Sequence, residues 1–357
     1  DVSHMDGAQV TKLLKMRSHN PQGRHLEFKK RSFSVRELPG GETCLVAIMC
    51  DSGANQEDSL IMNEAAIKRG KFFSIKYHTY RDAITSRSEE EFFGKPPEDA
   101  VGLRGQTNYD LLGEDGIVPV GTYVQTNDAI IGKTVLVNDF DDAGNPVVRL
   151  RDRSTILKSN EKGYVDRVVH YKDSNGKDAV AIRIATLRVP EVGDKFSSRH
   201  GQKGTIGRRE KPENMPFCAL TGEIPDLLVN PQAIPSRMTI GHLIETLLSK
   251  AGVVEGRMGD GTAFSGVSIE TIGDHLERAG WHRKGRATFY SGRRGTPLEC
   301  EVFLGITYYQ KLKHMVSDKI HSRSTGPIQT LTRQPLDGRS RYGGLRFGEM
   351  ERDSCIG

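Results

Sequence analysis

The chain has 357 residues, with 51 Lys or Arg against 46 Asp or Glu, a formal net charge of +5 at pH 7. That length exceeds one ordinary domain and points to two or three structural units. No run approaches the roughly 20 apolar residues of a membrane-spanning helix, and the start has no apolar signal-peptide core. The five cysteines (44, 50, 218, 300 and 355) form no C-x-x-C pair, which argues against a disulfide framework and a thiolate zinc site. The expectation is a soluble, intracellular, thiol-reduced protein.

Residues 1–32 are polar and aperiodic. An apolar run at 43–50 predicts a strand, followed by a loop over 51–58 and a short helix over 63–69 stopped by Gly70. Residues 72–80 are β-rich, whereas 82–116 are acidic, interrupted by Pro96-Pro97, and expected as a long solvated excursion. Short strands are expected within 118–137, a polar turn at 139–146, and a hairpin of 163–170 with 179–189 around Asn175-Gly176. A glycine-punctuated basic loop spans 193–207. The clearest helix covers 238–251, where Ile240, Leu243, Ile244, Leu247 and Leu248 form one apolar stripe and Gly252 stands at the C-terminal cap. Further helices are expected at 268–279, ending at Gly280, and at 308–320, with Leu312, Met315 and Val316 inward. The tail 326–348 returns to basic loop. Strands first and helices later indicate an α+β fold with a β-barrel-like centre.

Charge is segregated along this order. Residues 181–211 carry eight basic and three acidic side chains, and 319–346 six and one, whereas 82–115 holds nine acidic and three basic. The two basic stretches are interleaved with Gly, Ser, Gln and Pro more than with Glu, which leaves cations free for a polyanion; the bland alternative is a solvated face.

Asp139 and Asp141 tempt as an oxygen-ligand metal pair, but the twelfth position of a calcium loop begun there is Leu150, and an exposed turn is the better reading. The stretch Gly193-Asp194-Lys195-Phe196-Ser197-Ser198-Arg199-His200-Gly201-Gln202-Lys203-Gly204-Thr205 sets two lysines eight apart on a glycine-kinked chain. It suits phosphate binding or a basic surface turn. Glu57 and Asp58 are adjacent carboxylates that either cap a helix or touch a metal held mainly by other groups. Arg237, before the strongest helix, is either a triphosphate clamp or a structural ion pair. His314 and Lys319, five apart, face one groove or solvent.

Four stretches then carry a resemblance: 53–69 (GANQEDSLIMNEAAIKR), 192–207 (VGDKFSSRHGQKGTIG), 225–251 (PDLLVNPQAIPSRMTIGHLIETLLSKA) and 307–350 (TYYQKLKHMVSDKIHSRSTGPIQTLTRQPLDGRSRYGGLRFGEM). They are similar to the second-largest subunit of multisubunit DNA-directed RNA polymerase, closest to the eukaryotic polymerase II type and its archaeal and large-virus relatives; the bacterial counterpart is the β subunit. The resemblance runs, with interruptions, from about Arg36 to Cys355.

It implies an α+β fold whose β-rich centre is the double-psi β-barrel of the hybrid-binding region, with a wall or flap insertion and several packed helices. The implied divisions are an unmatched segment 1–32, a first barrel part with the acidic excursion at 33–118, barrel strands at 119–195, the remaining hybrid-binding and wall-type region at 196–305, and a helix with a switch-type loop at 306–357. The implied activity is template-directed nucleotidyl transfer from NTPs to an RNA 3′ end, within a multisubunit complex and not by this chain alone. Catalytic Mg²⁺ is held mainly by aspartates of the largest subunit, with Glu57 and Asp58 as a secondary contact, and no zinc site is expected here. Lys195, Lys203, Arg237 and His314 match catalytic positions. Arg199, Lys319, Arg339, Arg341 and Arg346 match nucleic-acid-binding ones. Implied partners are the largest and other polymerase subunits, template DNA, transcript and NTPs, with no membrane; the implied location is the nucleus if eukaryotic, cytoplasm or virion if archaeal or viral.

Family members are longer and carry a zinc-binding clamp segment, whereas this chain stops at Cys355-Ile356-Gly357 before any C-x-x-C, and 1–32 lacks the upstream K-Q-A-M-G stretch. A fragment, a split subunit or a truncated sequence is therefore expected. The alternative function is a non-catalytic nucleic-acid-binding or assembly module derived from that subunit.

Overall fold

The computed structural model describes residues 40–84, 90–105, 107–140, 146–158, 161–256, 259–261 and 267–357. The segment 1–32 and residues 141–145 of the rejected metal turn lie outside the described residues.

The strands used below are β1 (Gly41–Ile48), β2 (Ser59–Asn63), β3 (Ser74–Ala83), β4 (Gly163–Lys172), β5 (Asp178–Arg188), β6 (Lys195–Ser198), β7 (Lys203–Glu210), β8 (Leu227–Val229), β9 (Arg286–Tyr290) and β10 (Pro297–Lys311). The helices are α1 (Glu64–Lys68), α2 (Ile240–Glu255), α3 (Ile269–Arg278), α4 (Val316–Lys319) and α5 (Glu349–Ile356).

Six strands close on themselves. β1 pairs with β8, β8 with β2, β2 with β7, β7 with β6, β6 with β10, and β10 returns to β1. The β1–β8 and β2–β7 pairs are parallel and the rest antiparallel. Closure removes every sheet edge from the ring. Alternation along the strands fills its interior: Cys44 and Val46, Leu60 and Met62, Leu227 and Val229 join Phe196, Ile206 and Tyr309 in one core cluster. Outside the ring, β9 extends the sheet along the first half of β10. Ala47, Ile61, Leu228, Phe289 and Leu304 form a second core there.

Between α1 and β6, residues 74–188 form an insertion with its own core, while Phe72 and Val189 beside it pack with the ring. β3, β5, β4 and residues Tyr123–Val124 form one sheet, and Val118, Ile130, Ile131, Leu157, Val180 and Ile182 pack beneath it. The 163–189 hairpin forms as expected, with Gly176 in the left-handed region. The closed ring draws its strands from 41–63 and 195–311. The acidic excursion is also less solvated than composition implies. Lys133, itself buried, lies 3.3 Å from Asp82 and 3.1 Å from Glu91, so two of the acids are internal partners of one lysine.

Two further expectations change. Residues 308–311 are strand, not helix, since Phe196–Ser198 and 41–48 hold both sides of β10 and Tyr309 points into the barrel; only α4 survives of the helix expected at 308–320. Two-sided pairing and aromatic side chains outweigh a helical period here. α2 runs beyond Gly252 to a left-handed cap at Gly256, and its buried residues include His242, Thr246, Ser249 and Lys250, whereas Ile240 is exposed. The helix is wedged between β10 and α3, so polar positions are enclosed that a single apolar stripe assigns to solvent.

Candidate active site and nucleic-acid interface

The basic stretch 193–207 is a hairpin of β6 and β7, not an irregular loop. Its register sets Lys195 opposite Thr205 and Ser197 opposite Lys203. Opposed residues share a face and alternate ones repeat it, so both lysines leave the same side while Phe196 and Ile206 fill the barrel. The segment after β10 lies across the start of the hairpin. Leu312 N donates to Lys195 O at 2.8 Å and Lys195 N donates to His314 O at 3.3 Å. Buried Asp194 accepts from Val316 N at 3.0 Å. These bonds bring Lys195, Ser197, Gly201, Lys203, Leu312, Lys313 and His314 around one open cleft of about 350 Å³. Desolvation, with the charges of Lys319, Lys195 and Lys313, holds the His314 imidazole below its ordinary value.

A second group adjoins the hairpin. The loop after β1 is braced by buried Asn55, whose Nδ2 donates to Met49 O at 2.7 Å and whose Oδ1 accepts from Asp51 N at 3.1 Å. Glu57 stands exposed in the left-handed region at φ 52°, a conformation that non-glycine residues adopt at a cost and that gathers at functional sites. Asp58 begins no helix. Its carbonyl accepts from Thr205 N at 3.2 Å and its carboxylate pairs with the Arg237 guanidinium. This close approach requires glycine at 204, where a Cβ would stand 2.2 Å from Asp58 O. Arg237 Nη1 donates to Gln202 Oε1 at 3.0 Å, and Gln202 Nε2 donates to Ala233 O at 3.1 Å and Thr239 Oγ at 2.5 Å. Gln202 thus joins the hairpin turn to the start of α2. Of the alternatives open for Arg237 and Asp58, the ion pair is present and the helix cap is not; the two side chains are 33% and 44% exposed and open to a ligand.

The other basic residues divide. Lys319 lies close enough to His314 to lower its pKa. Arg339 Nη2 donates to Ser317 O at 3.1 Å, fastening the tail loop to α4. Arg341 and Arg346 are exposed on that loop but do not line the cleft. Arg199 is turned inward, with Nη2 2.6 Å from Glu245 and the guanidinium over the Tyr308 ring, so the hairpin does not offer it to a ligand in this structure. Sequence reasoning missed Asp194, Gln202, Glu245 and Lys313. Lys313 had a signal, standing beside His314, whereas the others act only through residues distant in sequence.

The fold and this surface define a barrel protein that gathers cations, an imidazole and a carboxylate around one hairpin, chemistry suited to phosphorylated ligands. The family described as RNA polymerase Rpb2, domain 6, matches residues 10–341, and the chain belongs to that family. It is 48% identical over 325 residues to DNA-directed RNA polymerase II subunit RPB2 of Encephalitozoon cuniculi, covering 90% of this chain and 28% of that protein. Similarity extends to DNA-directed RNA polymerase subunit 2 of Acanthamoeba polyphaga mimivirus, 44% over 322 residues (89% of this chain, 27% of that one). The archaeal subunit Rpo2 of Saccharolobus solfataricus is 38% identical over 324 residues, 89% of this chain and 29% of its own length. The chain therefore spans less than a third of these relatives.

Proposed function

We propose that this chain is the hybrid-binding part of the second-largest subunit of a DNA-directed RNA polymerase, working in a complex with the largest subunit, template DNA, transcript and NTPs. The six-stranded ring is its double-psi β-barrel, and the insertion between α1 and β6 together with the region around α3 and β9 supplies the wall. One observation carries the reading: Lys195, Lys203 and His314 line a single cleft, and Gln202 bonds the hairpin to Arg237 and so to Asp58.

Nucleotidyl transfer is an attack of a ribose 3′-oxygen on an α-phosphate with departure of pyrophosphate, and negative charge grows on the phosphoryl oxygens. Fixed cations stabilise that charge without reorganising. Lys195 and Lys203 hold the transcript end, Arg237 exchanges Asp58 for the triphosphate as the nucleotide binds and is in place before the chemical step, and Lys319, Arg339, Arg341 and Arg346 track the backbone of template and hybrid. Phosphate contacts carry no base information, so sequence choice lies with template pairing. Among the described residues no three His, Cys, Asp or Glu side chains are grouped to hold a metal. Glu57 and Asp58 fit a secondary contact to Mg²⁺ held mainly by another subunit, where the ion supplies Lewis-acid stabilisation.

The test is single-nucleotide extension by the reconstituted polymerase. Lys203→Ala is expected to slow extension by at least about tenfold, the scale of losing one fixed charge at a phosphoryl centre. Wild-type extension by Lys203→Ala would overturn the role given to that lysine, and an equally silent Asp58→Ala would favour a non-catalytic module.

A further inference from the structure

The turn that carries the cleft is held by a carboxylate outside the cleft. Glu245, on α2, accepts through Oε1 from Arg199 Nε at 3.1 Å, Arg199 Nη2 at 2.6 Å and Tyr308 N at 3.1 Å, and its Oε2 meets His200 Nε2 at 2.5 Å. Arg199 and His200 are the two turn residues that precede Gly201-Gln202-Lys203. Tyr308 belongs to β10, the strand on which β6 lies, and its ring stacks under the Arg199 guanidinium at 5.5 Å. One carboxylate therefore joins a helix, a barrel strand and the hairpin turn. Burial opposes its ionisation, but His200, Arg199 and the Tyr308 amide outweigh burial and hold the pKa at about 2, so the clasp is charged at neutral pH. The opposite side of the His200 ring has His242 for a neighbour, 5.8 Å away between centroids.

We propose that Glu245 is a positioning residue: it fixes the 199–203 turn, and through it the Lys195 and Lys203 ammonium groups, against Arg237 at the start of the same helix. The inference rests on the function proposed above. Asp58, which lies outside that turn, pairs with Arg237, and Gln202 keeps its own bonds to Ala233 and Thr239 when Glu245 is lost. Loss of the clasp is therefore expected to disturb the step at the transcript end more than nucleotide binding.

The experiment is a double-mutant cycle of Glu245→Gln with Lys203→Ala in the assembled polymerase, read as single-turnover extension so that the active fraction does not enter. Glu245→Gln is expected to lower the maximal rate about tenfold, the order of one lost charge-assisted hydrogen bond, with NTP half-saturation held within about twofold. Glu245→Asp, which keeps the charge, is expected to fall between Glu245→Gln and wild type. On the Lys203→Ala background Glu245→Gln is expected to add less than about threefold, because residues acting through one another are not additive. Full additivity, or an effect confined to half-saturation, overturns the positioning role while leaving the proposed function standing. A silent Lys203→Ala overturns the role proposed for Lys203, and with a silent Asp58→Ala the proposed function. Arg199→Lys keeps the cation but loses the two-nitrogen grip; it serves the same cycle if Glu245→Gln does not assemble, and its additivity counts equally against the clasp.

Discussion

His242 offers a measurable consequence of the packing beneath the hairpin. It is fully buried on α2, neither ring nitrogen has a hydrogen-bond partner among the described residues, and the His200 and Tyr309 rings flank it. Burial, partly offset by Glu245 and reinforced by His200, pushes its pKa from the ordinary 6.5 to about 4. Between those values the unfolded chain takes up a proton that the folded chain does not. Stability from this group is therefore whole above pH 6.5, falls as the pH drops, and levels off below about 4. The loss amounts to about 2 kcal/mol by pH 5 and about 3 kcal/mol by pH 4. His242→Leu removes the proton site together with two unpartnered nitrogens at similar bulk. Relative to wild type the variant is expected to gain about 3 kcal/mol between pH 7 and pH 4, whatever constant packing difference it introduces. Urea unfolding followed by the fluorescence of the single tryptophan reads this locally, because Trp281 packs against the cluster that contains Leu247 of α2. A stability difference that stays flat across that pH range would refute the reasoning.

Three further outcomes are expected. Asp58→Asn breaks a half-exposed ion pair, so the unfolding free energy should move by less than about 1 kcal/mol, while extension by the assembled enzyme slows; a large stability loss would make the pair structural. Gly204→Ala should destabilise the chain by about 1–3 kcal/mol, since its methyl would collide with the Asp58 carbonyl, and an unchanged urea midpoint would contradict that contact. Affinity for an RNA–DNA hybrid should fall linearly with salt on logarithmic axes, and Lys203→Ala should reduce the slope by about one; an unaltered slope would remove Lys203 from the phosphate track.

Where local chemistry governs, residues and structure agree. Asn63 caps α1 through Ala65 N, Ser268 caps α3 through Glu270 N, and Gly280 follows α3 in the left-handed region. Disagreement begins where an element answers to neighbours far along the chain. Tyr308 to Lys311 look helical next to 312–320, yet two strands of the barrel pair with them. Arg199 looks as free as Lys195 and Lys203, yet a helix more than forty residues later supplies its carboxylate at 2.6 Å.

The amino-acid order alone was enough to establish the α+β class, the hairpin of the insertion, the segregation of charge and the cationic motif with its family resemblance, because each rests on short-range propensity or on runs of residue types. Only the tertiary structure decided that the ring closes from 41–63 and 195–311, that Asp58 meets Arg237, that Lys195 and Lys203 share a cleft with His314, and that Glu245 holds the turn between them. Those facts depend on register and on barrel closure, which are settled by burying apolar side chains jointly and not by any one segment's preference.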